Sequence, residues 1–189
     1  MAYNDTEIEV KFPLKNTEKI VDFLNNLAEK MEKKIVQIDT YFTPSHKNFL
    51  EPEYPFQWLR IRESEKGVMV NYKHFYPENK KNTDYCDEFE VGVDGPVIKK
   101  ILERLDFKKL VEVKKERNSW MYKDVEISID NVEGLGDFIE LEITTHFDNP
   151  KIAKEYLYRL TKEIGADVGE EDYRGYPFLL LEKKGYKFN

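Results

Sequence analysis

At 189 residues, the chain has the length of one domain, taking about 150 residues per domain. Lys and Arg total 30 against 37 Asp and Glu, a net charge of −7, and the isoelectric point is about 5.2. Such a balance excludes general nucleic-acid or membrane-surface binding, which needs a basic excess. The single cysteine, Cys86, excludes an internal disulfide and a cysteine-rich zinc site. No apolar run approaches the ~18 residues of a membrane span, and Met1–Tyr3 opens straight into charge without a signal peptide. The expectation is one soluble, cytoplasmic domain over residues 1–189. Its charged fraction of 35% stands above the ~25% of ordinary globular proteins. Either the surface is heavily charged or some of those charges point at something.

Taken in chain order, Glu7-Ile8-Glu9-Val10-Lys11-Phe12 alternates charged and apolar, the period of a strand with one dry face. Asn16 or Thr17 can cap a helix whose stripe is Ile20, Phe23, Leu24, Leu27 and Met31. Thr43 to Pro55 reads as a loop. Gln57-Trp58-Leu59-Arg60-Ile61-Arg62 alternates again, and after a turn at Lys66-Gly67 the run Val68 to Lys73 reads as its hairpin partner. A polar loop from Tyr76 to Asp84 precedes a strand at Cys86 to Val91. A helix follows from about Pro96 to Leu105, with Val97, Ile101, Leu102 and Leu105 apolar and proline in its first turn. Four further strands are expected at Leu110 to Arg117, Ser119 to Tyr122, Val125 to Asp130 and Phe138 to Ile143. A helix opens at Asp148-Asn149-Pro150, carries Ile152, Tyr156, Leu157, Leu160 and Ile164, and stops at Gly165. A short last helix covers about Gly175 to Lys183.

A half-buried strand ordinarily turns its charges to water. Here the charged pairs recur at i, i+2 in strand after strand, so both members of each pair share a face. The acids are Glu7, Glu9, Glu88, Glu90, Asp130, Glu140 and Glu142; the bases are Lys11, Arg60, Arg62, Lys73, Lys115 and Arg117. The apolar faces (Ile8, Val10, Leu59, Ile61, Ile139, Leu141, Ile143) are the surface on which the helices can lie. If helices cover that face, the charges point to the concave side of a curled sheet. A barrel of about eight strands is wide enough inside for side chains or one small ligand. Unpaired buried charge is too costly for such an interior to be a packed core. The fold class is therefore α+β, mainly antiparallel β: an eight-stranded, closed or nearly closed barrel with helices outside. Its interior is a wet tunnel holding a polyanion on the bases and divalent metal on the acids.

These residues carry a resemblance. Glu7-Ile8-Glu9-Val10-Lys11 resembles the signature of the CYTH family, the triphosphate tunnel metalloenzymes. It is followed in order by Gln37-Ile38-Asp39-Thr40-Tyr41-Phe42, Leu59-Arg60-Ile61-Arg62, Tyr72-Lys73, Glu88-Phe89-Glu90 and Lys115-Glu116-Arg117. The stretch from Asp130 through Gly134-Leu135-Gly136-Asp137-Phe138 to Glu140-Leu141-Glu142 is the most similar of all. The chain departs from the family at Arg174-Gly175-Tyr176-Pro177-Phe178-Leu179-Leu180, which replaces the usual Ser-Tyr-x-x-Leu-Leu ending. The resemblance implies a metal-dependent enzyme acting on a triphosphate, with the length and the Gly134–Phe138 turn most similar to class IV adenylyl cyclases, which make cyclic AMP and pyrophosphate. Alternatives are a triphosphatase acting on inorganic, thiamine or nucleoside triphosphate, and a non-catalytic polyphosphate or nucleotide sensor.

For that chemistry Arg60, Arg62 and Arg117 can chelate phosphate oxygens bidentately, with Lys11, Lys73 and Lys115 as point charges. The Mg²⁺ or Mn²⁺ ligands expected are Glu7, Glu9, Glu140 and Glu142, with Asp130 a further one. The catalytic set is Glu7, Glu9, Lys11 and Asp130; Glu88, Glu90 and Tyr41 are further tunnel residues. The partner expected is the small-molecule triphosphate, with a homodimer as an open alternative to the monomer. His46, His74 and His146 lack metal-ligand spacing, and His74 faces away from Lys73. Cys86 shares a face with Glu88 and Glu90 and reads as a small buried residue or a rim residue. Tyr41, Phe42, Phe56 and Trp58 read as packing aromatics or as a stacking surface for a ring.

Overall fold

Strands with one charged and one apolar face curl so that the apolar face meets helices and the charged faces meet each other. The computed structural model describes residues 6–27 and 29–188. In chain order it runs β1 (Thr6–Glu7), β2 (Glu9–Pro13), α1 (Thr17–Leu27), β3 (Glu29–Pro44), β4 (Gln57–Ser64), β5 (Gly67–Tyr76), β6 (Tyr85–Gly92) and α2 (Gly95–Arg104). Then come β7 (Phe107–Tyr122), β8 (Val125–Val132), β9 (Gly136–Ile143), α3 (Pro150–Glu163) and α4 (Tyr176–Lys183). One nine-stranded sheet results, in the order β1-β6-β5-β4-β3-β7-β8-β9-β2.

The edge strands β1 and β2 are separated only by Ile8. The segment Thr6–Pro13 therefore pairs with β6 at its start (Glu7 opposite Cys86) and with β9 beyond (Glu9 opposite Glu142, Lys11 opposite Glu140). That switch of partner closes the sheet into the expected barrel. It is also why nine strands stand where eight were expected. Two further differences concern particular elements. Leu110–Arg117 and Ser119–Tyr122 are one strand, β7, and the missing place is taken by β3. The first helix ends at Leu27, so Met31 lies in β3 rather than on the helix stripe.

Asn16 Oδ1 accepts from the Lys19 amide at 3.3 Å, which settles the cap of α1 on Asn16. Asp94 caps α2 through the Val97 amide, and Asn149 caps α3. Ile20 and Leu24 of α1 and Leu157 and Leu160 of α3 pack with Val10, Ile127, Ile139 and Leu141 on the outside of the barrel, all nearly or wholly excluded from solvent. At ~1.5–3 kcal/mol for each fully buried aliphatic or aromatic side chain, this layer drives closure. A second cluster sits at one end, where Phe178, Leu180 and Leu181 of α4 meet Tyr41, Trp58, Val113 and Phe138. On α2 only Leu102 of the expected stripe is buried; Val97, Ile101 and Leu105 face outward.

Candidate active site

Alternation along the strands sends the charged residues inward, where they line a cavity of about 450 Å³. Among the described residues its wall includes Glu7, Glu9, Lys11, Tyr41, Arg60, Arg62, Lys73, Glu88, Glu90, Lys115, Arg117, Glu140 and Glu142. Opposite charges are gathered by strand neighbours. β4 lies beside β3, so Arg62 faces Asp39 and grips it with Nε and Nη2, each at 2.7 Å. Arg60 reaches the same carboxylate at 3.3 Å and Glu88 at 3.5 Å. β7 lies beside β8, so Arg117 grips Asp130 in the same bidentate way, at 2.7 Å from Nε and from Nη2. Lys115 Nζ adds a contact at 2.7 Å, and the Tyr176 hydroxyl donates to Asp130 at 2.8 Å. Burial alone would raise the Asp39 and Asp130 carboxyls. Arg60 and Arg62 for the first, and Arg117 and Lys115 for the second, reverse this and hold both far below the carboxylate range.

The Tyr176 ring lies under two ammonium groups, Lys11 Nζ at 4.9 Å and Lys115 Nζ at 5.2 Å from its centroid. Lys11 also meets Glu140 at 2.9 Å and Glu9 at 3.2 Å. Lys73 bridges Glu7 at 2.6 Å, Glu88 at 2.9 Å and Glu9 at 3.5 Å. Around Lys73 the carboxylates divide. Glu88 is held at about 2 because Lys73, with a hydrogen bond from Glu7 and the charge of Arg60, outweighs its burial. Glu7 is lifted to about 8 by burial, which Lys73 opposes and Glu88 and Glu9 reinforce. Glu142 is raised as well, first by burial and then by the charge of Glu7. Glu7, Glu9 and Glu142 each place a carboxylate oxygen within 4.8 Å of the others. Like-charged oxygens at that spacing, with no softer ligand among them, are a donor set for a hard divalent cation such as Mg²⁺ or Mn²⁺.

The expected site residues other than Asp130 thus line one cavity, with Asp130 paired to Lys115 and Arg117 of its wall, and they divide into two groups. The structure does not bring Asp130 or Glu140 to the carboxylate triad. Asp130 is wholly buried and both its oxygens are taken by bases and a phenol, while Glu140 is held between Lys11 and Arg117 at 2.9 Å from each. Asp130 meets these bases because β7 and not the N-terminal strand lies across from it at Arg117. Glu90 is exposed at the rim and accepts from Asn71 at 3.4 Å. Tyr41 packs edge-on against Trp58, ring centroids 5.7 Å apart. Cys86 is buried with Sγ 3.7 Å from Glu7, and His74 stacks on Tyr76 at 4.6 Å. Asp39, Asp172 and Tyr176 carried no role in the sequence reading. Asp39 had a usable signal, since it shares a strand face with Gln37 and Tyr41.

No helix among the described residues is long and apolar enough to cross a membrane. The model of the CYTH domain family matches residues 5–176. A Methanocaldococcus jannaschii protein named as a candidate adenylate cyclase is 36% identical over 154 residues, which is 80% of this chain and 85% of that protein. A protein of Pyrococcus horikoshii OT3 has a solved structure that is 31% identical and superposes with a TM-score of 0.77 over 94% of this chain and 99% of its own. A Hippeastrum protein, described as a candidate adenylyl cyclase with a dominant triphosphatase activity, shares the fold at a TM-score of 0.61 and 17% identity, over 95% of this chain and 96% of its own.

Proposed function

The chain belongs to the CYTH domain family, and from that premise we propose that it is the cyclase among the family's enzymes, converting ATP to cyclic AMP and pyrophosphate with Mg²⁺ or Mn²⁺. The observation that carries this reading is the division of one cavity into a base-rich wall and the Glu7, Glu9 and Glu142 triad. The name of the Methanocaldococcus jannaschii relative supports the finer choice of cyclase.

In this reading, the triphosphate enters the cavity beside the bases, competing with the glutamates that now pair with Lys11 and Lys73. Arg62 and Arg117, held flat by their bidentate grip on Asp39 and Asp130, and Arg60, which touches Asp39 and Glu88 singly, turn their remaining N–H groups to its oxygens, and Lys11, Lys73 and Lys115 supply point charges. Asp39 and Asp130 keep the guanidinium planes aimed at the cavity. Glu7, Glu9 and Glu142 would hold a divalent ion, which would supply charge neutralisation for the triphosphate. Phosphoryl chemistry asks little more of a protein than such positioning and charge stabilisation. The new bond joins the ribose 3′ oxygen to the α-phosphorus, the 3′ O–H bond and the α-β bridging bond break, and pyrophosphate leaves with the hydroxyl's proton.

The competing outcome is hydrolysis, and labelling the α-phosphorus of ATP separates the two. Label in cyclic AMP is expected. Label in ADP alone would hand the activity to a triphosphatase, and binding without turnover in either metal would leave a sensor.

A further inference from the structure

One carboxylate in the cavity, with a buried oxygen, belongs neither to the metal triad nor to the pairs that hold the arginines. Residues 167–172 run beside the start of the chain where β2 has left β6. The Lys15 amide donates to the Asp167 carbonyl at 2.9 Å, the Gly169 amide to Pro13 at 2.9 Å and the Asp172 amide to Lys11 at 2.8 Å. This pairing sets Asp172 against the cavity wall next to Lys11. Its Oδ1 accepts the amides of Arg174 (3.0 Å) and Gly175 (3.2 Å), turning the chain into α4. Its Oδ2 is buried and meets no donor among the described residues. The Lys11 ammonium is committed to Glu9 and Glu140 instead.

An unmet buried acceptor costs ~1–3 kcal/mol, more when it is charged, so this oxygen needs an account. A phosphate cannot supply one, because it brings acceptors of the same charge. A cation shared with the metal triad does not supply one either, since Asp172 stands outside the group formed by Glu7, Glu9 and Glu142. What fits is a neutral hydroxyl donor at the end of the substrate that carries no phosphate. The rest of the cavity agrees with that assignment: Phe75, Trp58 and Tyr173 are also among its lining, and Trp58 Nε1 is likewise buried without an acceptor among the described residues. Burial also raises the Asp172 carboxyl, against the pull of Lys11, which favours an acceptor completed by a donor over a bare anion.

We propose that Asp172 reads the sugar of the substrate, its Oδ2 accepting a ribose hydroxyl, so that the cavity selects a nucleoside triphosphate over a bare one. The assignment rests on the triphosphate reading of the cavity and is independent of which phosphorus reacts.

The test is binding, measured by calorimetry with calcium as the ion, for ATP, 2′,3′-dideoxy-ATP and tripolyphosphate. The parent protein is expected to bind ATP about tenfold or more tighter than the dideoxy nucleotide, the ratio expected of a hydrogen bond to a charged acceptor. Asp172→Asn keeps an oxygen for the Arg174 and Gly175 amides; it should erase that ratio and leave tripolyphosphate affinity within about twofold. Equal binding of ATP and dideoxy-ATP by the parent overturns the proposal, as does an equal loss of ATP and tripolyphosphate in the variant. Should Asp172→Asn fail to fold, the parent's ratio decides alone. Failure of all three ligands to bind would instead sink the triphosphate reading beneath it.

Discussion

Asp130 and Glu142 lie on adjacent strands, both turned into the barrel, and yet their electrostatics are opposite. Asp130 faces β7, which presents Arg117 and Lys115, and it is pulled far below the carboxylate range. Glu142 faces the N-terminal strand, which presents Glu9 directly opposite and Glu7 nearby, and it is pushed above that range. Residue type is not what distinguishes them; the neighbouring strand is. A carboxylate that already has its cations is a positioning device, holding guanidinium groups flat for a polyanion. A carboxylate pressed against other carboxylates is completed by a cation from outside. The barrel keeps the two kinds apart by strand order and register, since Glu140, two residues before Glu142 on the same strand, meets Lys11 and is lowered.

The largest expected effect breaks the triad side of that contrast. Glu9→Gln and Glu142→Gln should each lower turnover on the order of 10³-fold, since a metal contributes several kcal/mol of charge stabilisation in phosphoryl chemistry. Excess EDTA should match them in the parent protein, and undiminished turnover under EDTA would remove metal from the account. Next comes stability. Asp130→Asn removes the counter-charge of Lys115 and leaves Arg117 with Glu140 alone, and breaking one side of a buried pair costs about 3–5 kcal/mol. Glu142→Gln relieves like-charge repulsion and should leave the ligand-free protein as stable as the parent or more so. Chemical denaturation measures both, and equal losses in the two variants would erase the distinction drawn between them.

The strands of this contrast were legible in the sequence because period-two alternation survives any tertiary context. Glu7/Glu9, Arg60/Arg62, Lys115/Arg117 and Glu140/Glu142 each declare a common face before any partner is known. Which acid meets which base was not legible, since it depends on strand order. Asp130 lies across from Arg117 on β7, whereas Glu142 lies across from Glu9. β3 was hidden because Met31 continues the apolar spacing of α1, although the helix ends at Leu27. Asp172 was hidden for another reason: Gly169-Glu170-Glu171-Asp172 reads as a solvated acidic run, and only the hydrogen bond from its amide to Lys11 shows that it turns inward.

The base-rich wall is sharpened by Arg60 and Arg62. Arg60→Ala and Arg62→Ala should each weaken tripolyphosphate binding by about 10- to 100-fold, the value of a hydrogen bond to a charged group at ~1.5–3 kcal/mol. Exposed bases would show ~0–1 kcal/mol in the same titration. A pair of variants that binds like the parent would place these arginines outside the ligand's reach.

The smallest effect is a pH dependence at Lys115. Burial, reinforced by the charges of Arg117 and Arg62 and only partly offset by Asp130, lowers its ammonium from 10.5 to about 7. Below about 7 the amine is charged in both folded and unfolded chains, and above 10.5 it is neutral in both. Between those limits the unfolded chain holds a proton that the folded chain has released, so folding stability rises with pH across the window. The slope is at most ~1.4 kcal/mol per pH unit, and Lys115→Met should flatten it. A bound triphosphate adds negative charge beside the amine and returns its proton, so binding near pH 8 should take up protons from solution. The observable is the dependence of the calorimetric binding enthalpy on the ionisation enthalpy of the buffer. A parent protein that takes up no proton, with a slope unchanged in Lys115→Met, would show that Asp130 holds this lysine charged even in the empty tunnel.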